Sequence, residues 1–144
     1  MSTALMYSMA QRADTRVLDE PLYGHFLAHT GAERPCRAAT LAAWPTTPQA
    51  ALDFMAPKPA ELSGNHVLFC KHMANHIDGL PWGAFEGHRH VLLFRNPAAV
   101  MASYGAHIQR PTLADLCYDH QLELLERMNQ AGTAPVVVCS DRLQ

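Results

Sequence analysis

The strongest constraint on this chain lies in its second half, where short apolar runs alternate with stretches of helical periodicity. Residues 66–70, 90–94 and 135–139 are too short for buried helices and rich in β-branched and aromatic side chains, the last carrying consecutive valines. Continuous apolar runs of this kind predict strands covered on both faces. Between the second and third lie residues 98–108 and 113–128, both periodic as helices. The latter carries Leu116, Leu122, Leu124 and Leu125, with Glu123 and Arg127 one turn apart. Strands joined through helices cross over instead of folding back as hairpins, so the expectation is an α/β layer structure with a mainly parallel sheet.

The first half carries weaker signals. Leu5, Met6 and Met9 fall at helical spacing within residues 3–11, with Ser2 or Thr3 available as N-cap. Residues 16–19 form a short apolar run. Pro21 then opens a helix through Leu22, Phe26 and Leu27 that ends near Gly31. Residues 32–48, with prolines at 35, 45 and 48, read as loop with one helical turn at 40–43, and residues 49–55 as a short helix. A doubly wound domain begins with a strand that feeds its first helix, whereas here the helix follows Met1 directly and only five residues follow the last apolar run. The spacing therefore predicts one domain over residues 1–144, truncated at both ends.

Composition narrows the function class. Hydrophobic residues make up 49% and charged residues 17% of a 144-residue chain, which places it among folded rather than disordered sequences. A formal charge of −2 with no basic stretch argues against nucleic acid or an anionic membrane as partner. The most apolar segment, residues 91–106, is interrupted by Arg95, Asn96 and Pro97, short of the roughly 20 residues a membrane span needs. No basic, apolar leader opens the chain, and Cys36, Cys70, Cys117 and Cys139 form no C-x-x-C pair. They read as reduced core thiols in a cytoplasmic protein.

The residues that offer chemistry are few. Arg95 closes an apolar strand, Pro97 opens the next helix, and Ser103 follows eight positions after Arg95. A guanidinium at a strand end with a hydroxyl near it is suited to hold a phosphate, by bidentate charge-assisted bonds and a neutral donor. Equally, Arg95 caps a carbonyl and Ser103 is a small packing residue. Ser2 and Thr3, at a helix N-terminus, either cradle an anion on free N–H groups or simply cap the helix. Asp19 and Glu20 are candidate general bases or first-turn acids before Pro21. Lys71, just beyond an apolar run, either stabilises developing negative charge or snorkels from a strand end. His25 with His29 and His72 with His76 are each four apart, a spacing that on a helix suits zinc. Neither pair has the Glu of H-E-x-x-H or a neighbouring cysteine, and His88 with His90 crosses a turn, so no metal is expected.

A strand, Arg95-Asn96-Pro97 and a helix with Ser103 together resemble the 3'-phosphate motif of P-loop sulfotransferases, and Ser2-Thr3-Ala4-Leu5 resembles the end of that family's 5'-phosphosulfate loop. Asp19-Glu20-Pro21 is similar to the family's acidic segment, and Lys71 to the basic residue after an inner strand. The resemblance covers nearly the whole chain and is closest to the bacterial-type sulfotransferase-like proteins, whose first helix reads S-T-A-L-M-Y-S. It implies a P-loop nucleoside triphosphate hydrolase-like three-layer fold and 3'-phosphoadenosine-5'-phosphosulfate as sulfuryl donor. On the same basis Arg95 and Ser103 bind the 3'-phosphate, Ser2 and Thr3 the 5'-phosphosulfate, Lys71 stabilises the leaving phosphate, and Glu20 is the base.

The chain also departs from the family. Met73 stands where cytosolic sulfotransferases carry a catalytic His, which leaves Asp19, His72 and His76 as alternative bases. The front of the phosphosulfate loop would precede Met1. The acceptor, a small hydroxyl or amine compound, would be chosen by residues 32–64, where no motif recurs, and no motif speaks to oligomeric state. The other expectation is a non-catalytic P-loop-like nucleotide-binding or structural remnant of a longer protein, since a related domain in some longer proteins is joined to an aminotransferase-like one.

Overall fold

The computed structural model describes residues 2–57, 66–105, 112 and 114–143. The chain forms two compact units, Met1–Ala84 and Phe85–Gln144. The first contains α1 (Ser2–Met9), β1 (Thr15–Asp19), α2 (Tyr23–Thr30), α3 (Arg37–Ala43), α4 (Pro48–Met55) and β2 (Val67–Lys71), followed by a 3₁₀ turn at Ala74–Ile77. The second contains β3 (Val91–Phe94), α5 (Pro97–Gly105), a 3₁₀ turn at Ala114–Leu116, α6 (Tyr118–Gln130) and β4 (Val136–Cys139).

In the first unit β1 and β2 pair in parallel, with Thr15 opposite Val67 and Asp19 opposite Lys71. β1 is the apolar run at 16–19 lengthened by Thr15. Its five residues are enough for a strand because β2 supplies the ladder and α1 packs on both strands, burying Met6. Met6, Leu22, Phe26, Leu27, Ala51 and Met55 form the core of this unit. α2 ends as its sequence predicts: Gly31 adopts φ 67 and its N–H donates to the Leu27 carbonyl, a left-handed cap that glycine takes without strain. Thr47 caps α4, its hydroxyl accepting from the Ala50 N–H at 3.3 Å, and Pro48 occupies the first turn, where a missing N–H costs nothing. The predicted turn at 40–43 is a longer helix, α3, because the chain enters it through Cys36 in the left-handed region and no proline falls between Arg37 and Ala43.

In the second unit β3 and β4 also pair in parallel, from Val91 opposite Val136 to Phe94 opposite Cys139, so the predicted crossover through helices is present. Phe85, Leu92, Leu116, Cys117, Leu124 and Met128 are its buried apolar side chains among the described residues. The single helix expected over 113–128 is broken: Cys117 sits at φ 58 and α6 restarts at Tyr118. A left-handed residue cannot continue a right-handed helix, and apolar periodicity does not register that one-residue break. The expected helix over 98–108 is α5, which ends at Gly105; residues 106–108 lie outside the described residues.

Among the described residues the sheet pairing is parallel, as expected, with one two-stranded sheet in each unit. Two further expectations are corrected. The strands are not all covered on both faces, since Val136 and Val137 remain 62% and 54% exposed. An apolar run specifies an extended segment but not which helix lies over it. Nor are the four cysteines all core thiols. Cys117 is buried and Cys70 half-buried, whereas Cys36, at a helix start, and Cys139, at the end of open β4, are exposed. Among the described residues no helix is long and apolar enough to cross a membrane.

Candidate functional site

The parallel register of β1 and β2 brings Asp19 and Lys71 side by side at the carboxyl-terminal ends of the strands, the edge at which open α/β sheets bind ligands. Lys71 Nζ donates to Asp19 Oδ1 at 2.8 Å and to Glu20 Oε1 at 2.6 Å. Glu20 reaches Lys71 because its backbone leaves the strand at φ 49, a conformation non-glycine residues rarely adopt. Its N–H donates to the Lys71 carbonyl and its carbonyl accepts from the Tyr23 N–H, both at 2.9 Å, so the strained residue fastens β1, β2 and α2 together.

The lysine side chain is 11% exposed, against 28% for Glu20 and 51% for Asp19. Burial works against its charge, yet the two carboxylate hydrogen bonds and their negative charges outweigh burial and hold the ammonium above the ordinary lysine range. The cluster is therefore one permanent cation between two carboxylates. It places a proton acceptor and a charge-stabilising group in direct contact.

Ser2 and Thr3 form the first turn of α1. A link of five residues, 10–14, joins α1 to β1, and α1 packs on β1 and β2. Its first-turn N–H groups have no partners within the helix.

In the second unit Arg95 is half-buried directly after β3. Asn96 Oδ1 accepts from the Ala98 N–H at 2.9 Å and its carbonyl accepts from the Val100 N–H, so Asn96 caps α5 with Pro97 in the first turn. Ser103 is exposed on α5, on the stripe of Asn96 and Val100 given by i, i+4 and i+7 spacing. Tyr118 Oη donates to the Arg95 carbonyl at 2.5 Å, and Gln121 Nε2 donates to the Leu93 carbonyl at 3.3 Å.

The histidines divide sharply. His76 is buried between Tyr23 and Phe26, with ring centroids at 5.2 and 4.8 Å. Burial, reinforced by the nearby charges of His72, Lys71 and Arg34, pushes its imidazole down to about 3, so it is a neutral core side chain at physiological pH. His72 lies between β2 and the 3₁₀ turn, so His72 and His76 do not share a helix face. His25 and His29 do share α2 and stack at 5.6 Å, but His25 Nε2 is committed to the Asp78 carbonyl at 3.0 Å. Among the described residues no group of three or more His, Cys, Asp or Glu is arranged to hold a metal.

Residues 1–138 match the model of a family described as a sulfotransferase domain. The chain belongs to this sulfotransferase family. The resemblance is thus a family relationship, and the family's general chemistry is sulfuryl transfer. Two Arabidopsis thaliana proteins, named branched-chain-amino-acid aminotransferase-like protein 1 and 2, are each 32% identical over 145 residues, covering 100% of this chain and 25% of their own length. The chain spans about a quarter of the curated relatives it matches. No solved structure matches it significantly.

Sequence reasoning treated Glu20 and Lys71 as separate candidates and missed their contact with each other and with Asp19. The signal that would have shown it is the equal length of residues 15–19 and 67–71, two five-residue strands that each end on a charge.

Proposed function

We propose that this sulfotransferase-family chain transfers a sulfuryl group from 3'-phosphoadenosine-5'-phosphosulfate to the hydroxyl or amine of a small molecule. The observation that supports the reading best is the Asp19–Lys71–Glu20 cluster at the carboxyl edge of a parallel strand pair. Glu20 takes the proton released by the acceptor as its oxygen or nitrogen bonds to sulfur. Lys71 stabilises charge on the bridging oxygen as the sulfur–oxygen bond to the nucleotide breaks. Ser2 and Thr3 hold the 5'-phosphosulfate, and Arg95 and Ser103 the 3'-phosphate, roles that rest on the family motif. Asp19 keeps Lys71 paired once Glu20 is protonated. On the same reading the two units are parts of one P-loop-like domain with a three-layer architecture, because the family match runs through both. The setting is the cytoplasm, without nucleic acid or membrane as partner, consistent with a charge of −2.

One observation favours a second reading, a non-catalytic nucleotide-binding or structural module of a longer protein. Lys71 already has two carboxylate partners, and an anionic donor must compete with both. Calorimetric titration with 3'-phosphoadenosine-5'-phosphate, repeated on Arg95→Ala, followed by a radiolabelled-sulfuryl transfer assay across hydroxyl and amine acceptors, separates the readings. Binding that Arg95→Ala weakens, together with transfer, supports the enzyme; binding without transfer supports the module. If the nucleotide does not bind and Arg95→Ala changes nothing, the donor assignment is wrong.

A further inference from the structure

In a parallel pair, successive carbonyls of one strand point alternately to its two edges. The His90 carbonyl accepts from the Val136 N–H at 3.0 Å, so residues 90, 92 and 94 of the β3 segment address β4, and residues 91, 93 and 95 address the opposite edge. The described chain places side chains of α6 along that edge. Gln121 donates to the Leu93 carbonyl and Tyr118 to the Arg95 carbonyl, and the two donors, three apart on α6, match two acceptors two apart on the strand. The tyrosine is aimed by Cys117, whose left-handed conformation starts α6 at Tyr118.

The peptide joining Arg95 to Asn96 is held from the other side as well, because the Asn96 side chain accepts from the Ala98 N–H and its carbonyl starts the α5 ladder. Arg95 thus lies between the end of β3 and a capped helix, with its own carbonyl fixed by a phenol.

We infer that Tyr118 is a positioning residue for Arg95: its hydrogen bond to the Arg95 carbonyl sets the direction in which the guanidinium leaves the strand and thereby the recognition of a 3'-phosphate. The inference rests on the reading that Arg95 takes that phosphate. A guanidinium fork binds phosphate bidentately only when its plane is oriented, so loss of the phenol costs affinity for the 3'-phosphate and not for the rest of the nucleotide.

The test compares two ligands by calorimetry on the full chain, 3'-phosphoadenosine-5'-phosphate and adenosine 5'-phosphate, which differ only in the 3'-phosphate. Four proteins are used: wild type, Tyr118→Phe, Gln121→Met and Arg95→Ala. In Tyr118→Phe the affinity for the bisphosphate is expected to fall roughly three- to tenfold, the loss of one hydrogen bond, with adenosine 5'-phosphate binding unchanged. Gln121→Met removes the neighbouring strand clamp without touching Arg95, so it is expected to lower the melting midpoint while keeping the preference for the bisphosphate. If Tyr118→Phe keeps that preference while Arg95→Ala abolishes it, the positioning role is wrong and the phosphate assignment stands. Should Gln121→Met erode the preference as much as Tyr118→Phe does, the effect is general loosening of β3 and the inference is overturned. If Arg95→Ala leaves the preference intact, the phosphate assignment itself fails, and the role of Tyr118 with it.

Discussion

Replacing Lys71 by Met should remove the one cation of the Asp19–Lys71–Glu20 cluster while keeping an apolar stem of similar length. The Glu20 contact, at 2.6 Å and 28% exposed on the carboxylate side, falls in the range of a hydrogen bond between charged partners, about 1.5 kcal/mol. The Asp19 contact, 51% exposed on its side, is screened by water and contributes about 0.5 kcal/mol. The expected loss is therefore about 2 kcal/mol, which for a chain of this size lowers the melting midpoint by about 7 °C.

A double-mutant cycle with Glu20→Gln isolates the Lys71–Glu20 pair: the double variant should be more stable than the sum of the single losses by about 1 kcal/mol, because residue 20 no longer leaves a carboxylate facing an empty position. The pH dependence gives an independent check. The folded-state pKa of Lys71 lies above the unfolded one, so its contribution is complete below the ordinary lysine value and is lost as pH rises through the raised value. The alkaline decline of the wild type should accordingly be shallower in Lys71→Met. Calorimetric melting of the four proteins at neutral and alkaline pH reads all of this. A Lys71→Met midpoint equal to wild type, or a coupling below about 0.4 kcal/mol, would show that the three side chains do not form a cluster in solution.

Two further outcomes follow from packing and burial. The His76 imidazole is held at about 3 when folded and titrates near 6.5 when unfolded, so stability is fullest above pH 6.5 and falls as pH drops toward 3; His76→Phe should flatten the urea-midpoint dependence between pH 7 and 4.5 by up to about 1.4 kcal/mol per pH unit, and an unchanged slope would place the histidine outside the core. Gly24→Ala would stabilise an isolated α2 by about 1 kcal/mol, but here the added Cβ meets the Pro45 carbonyl oxygen at 2.6 Å and Trp44 Cβ at 2.7 Å, so the melting midpoint should fall by several degrees. A rise would mean that α2 does not approach the chain after α3 so closely.

The family was legible because its signal is local. Arg95, Asn96, Pro97 and Ser103 lie within nine consecutive residues, and the first helix reads off the chain directly. The strands at 67–71, 91–94 and 136–139, the helices α2 and α5 and the parallel crossover of the second unit were legible for the same reason. Apolar runs, proline at a helix start and glycine beyond a helix end act over a few residues, where backbone sterics and side-chain spacing decide the outcome.

The site was legible only in parts. Asp19 and Glu20 were visible as acids and Lys71 as a base, but their hydrogen bonds join residues 52 and 51 positions apart, and only the pairing of β1 with β2 sets that register. The same holds for Tyr118, which reads as an ordinary helix residue until α6 is laid against the edge of β3 opposite β4. It holds also for His76, whose four-residue spacing from His72 suggested a shared helix face before tertiary packing enclosed it between two aromatic rings. Local sterics and hydrophobic spacing, written in the sequence, determined the elements and the family. Which charged ends meet, and which imidazole is sealed from water, was decided by strand register and helix packing, because those contacts depend on residues far apart in the chain and exist only in the folded form.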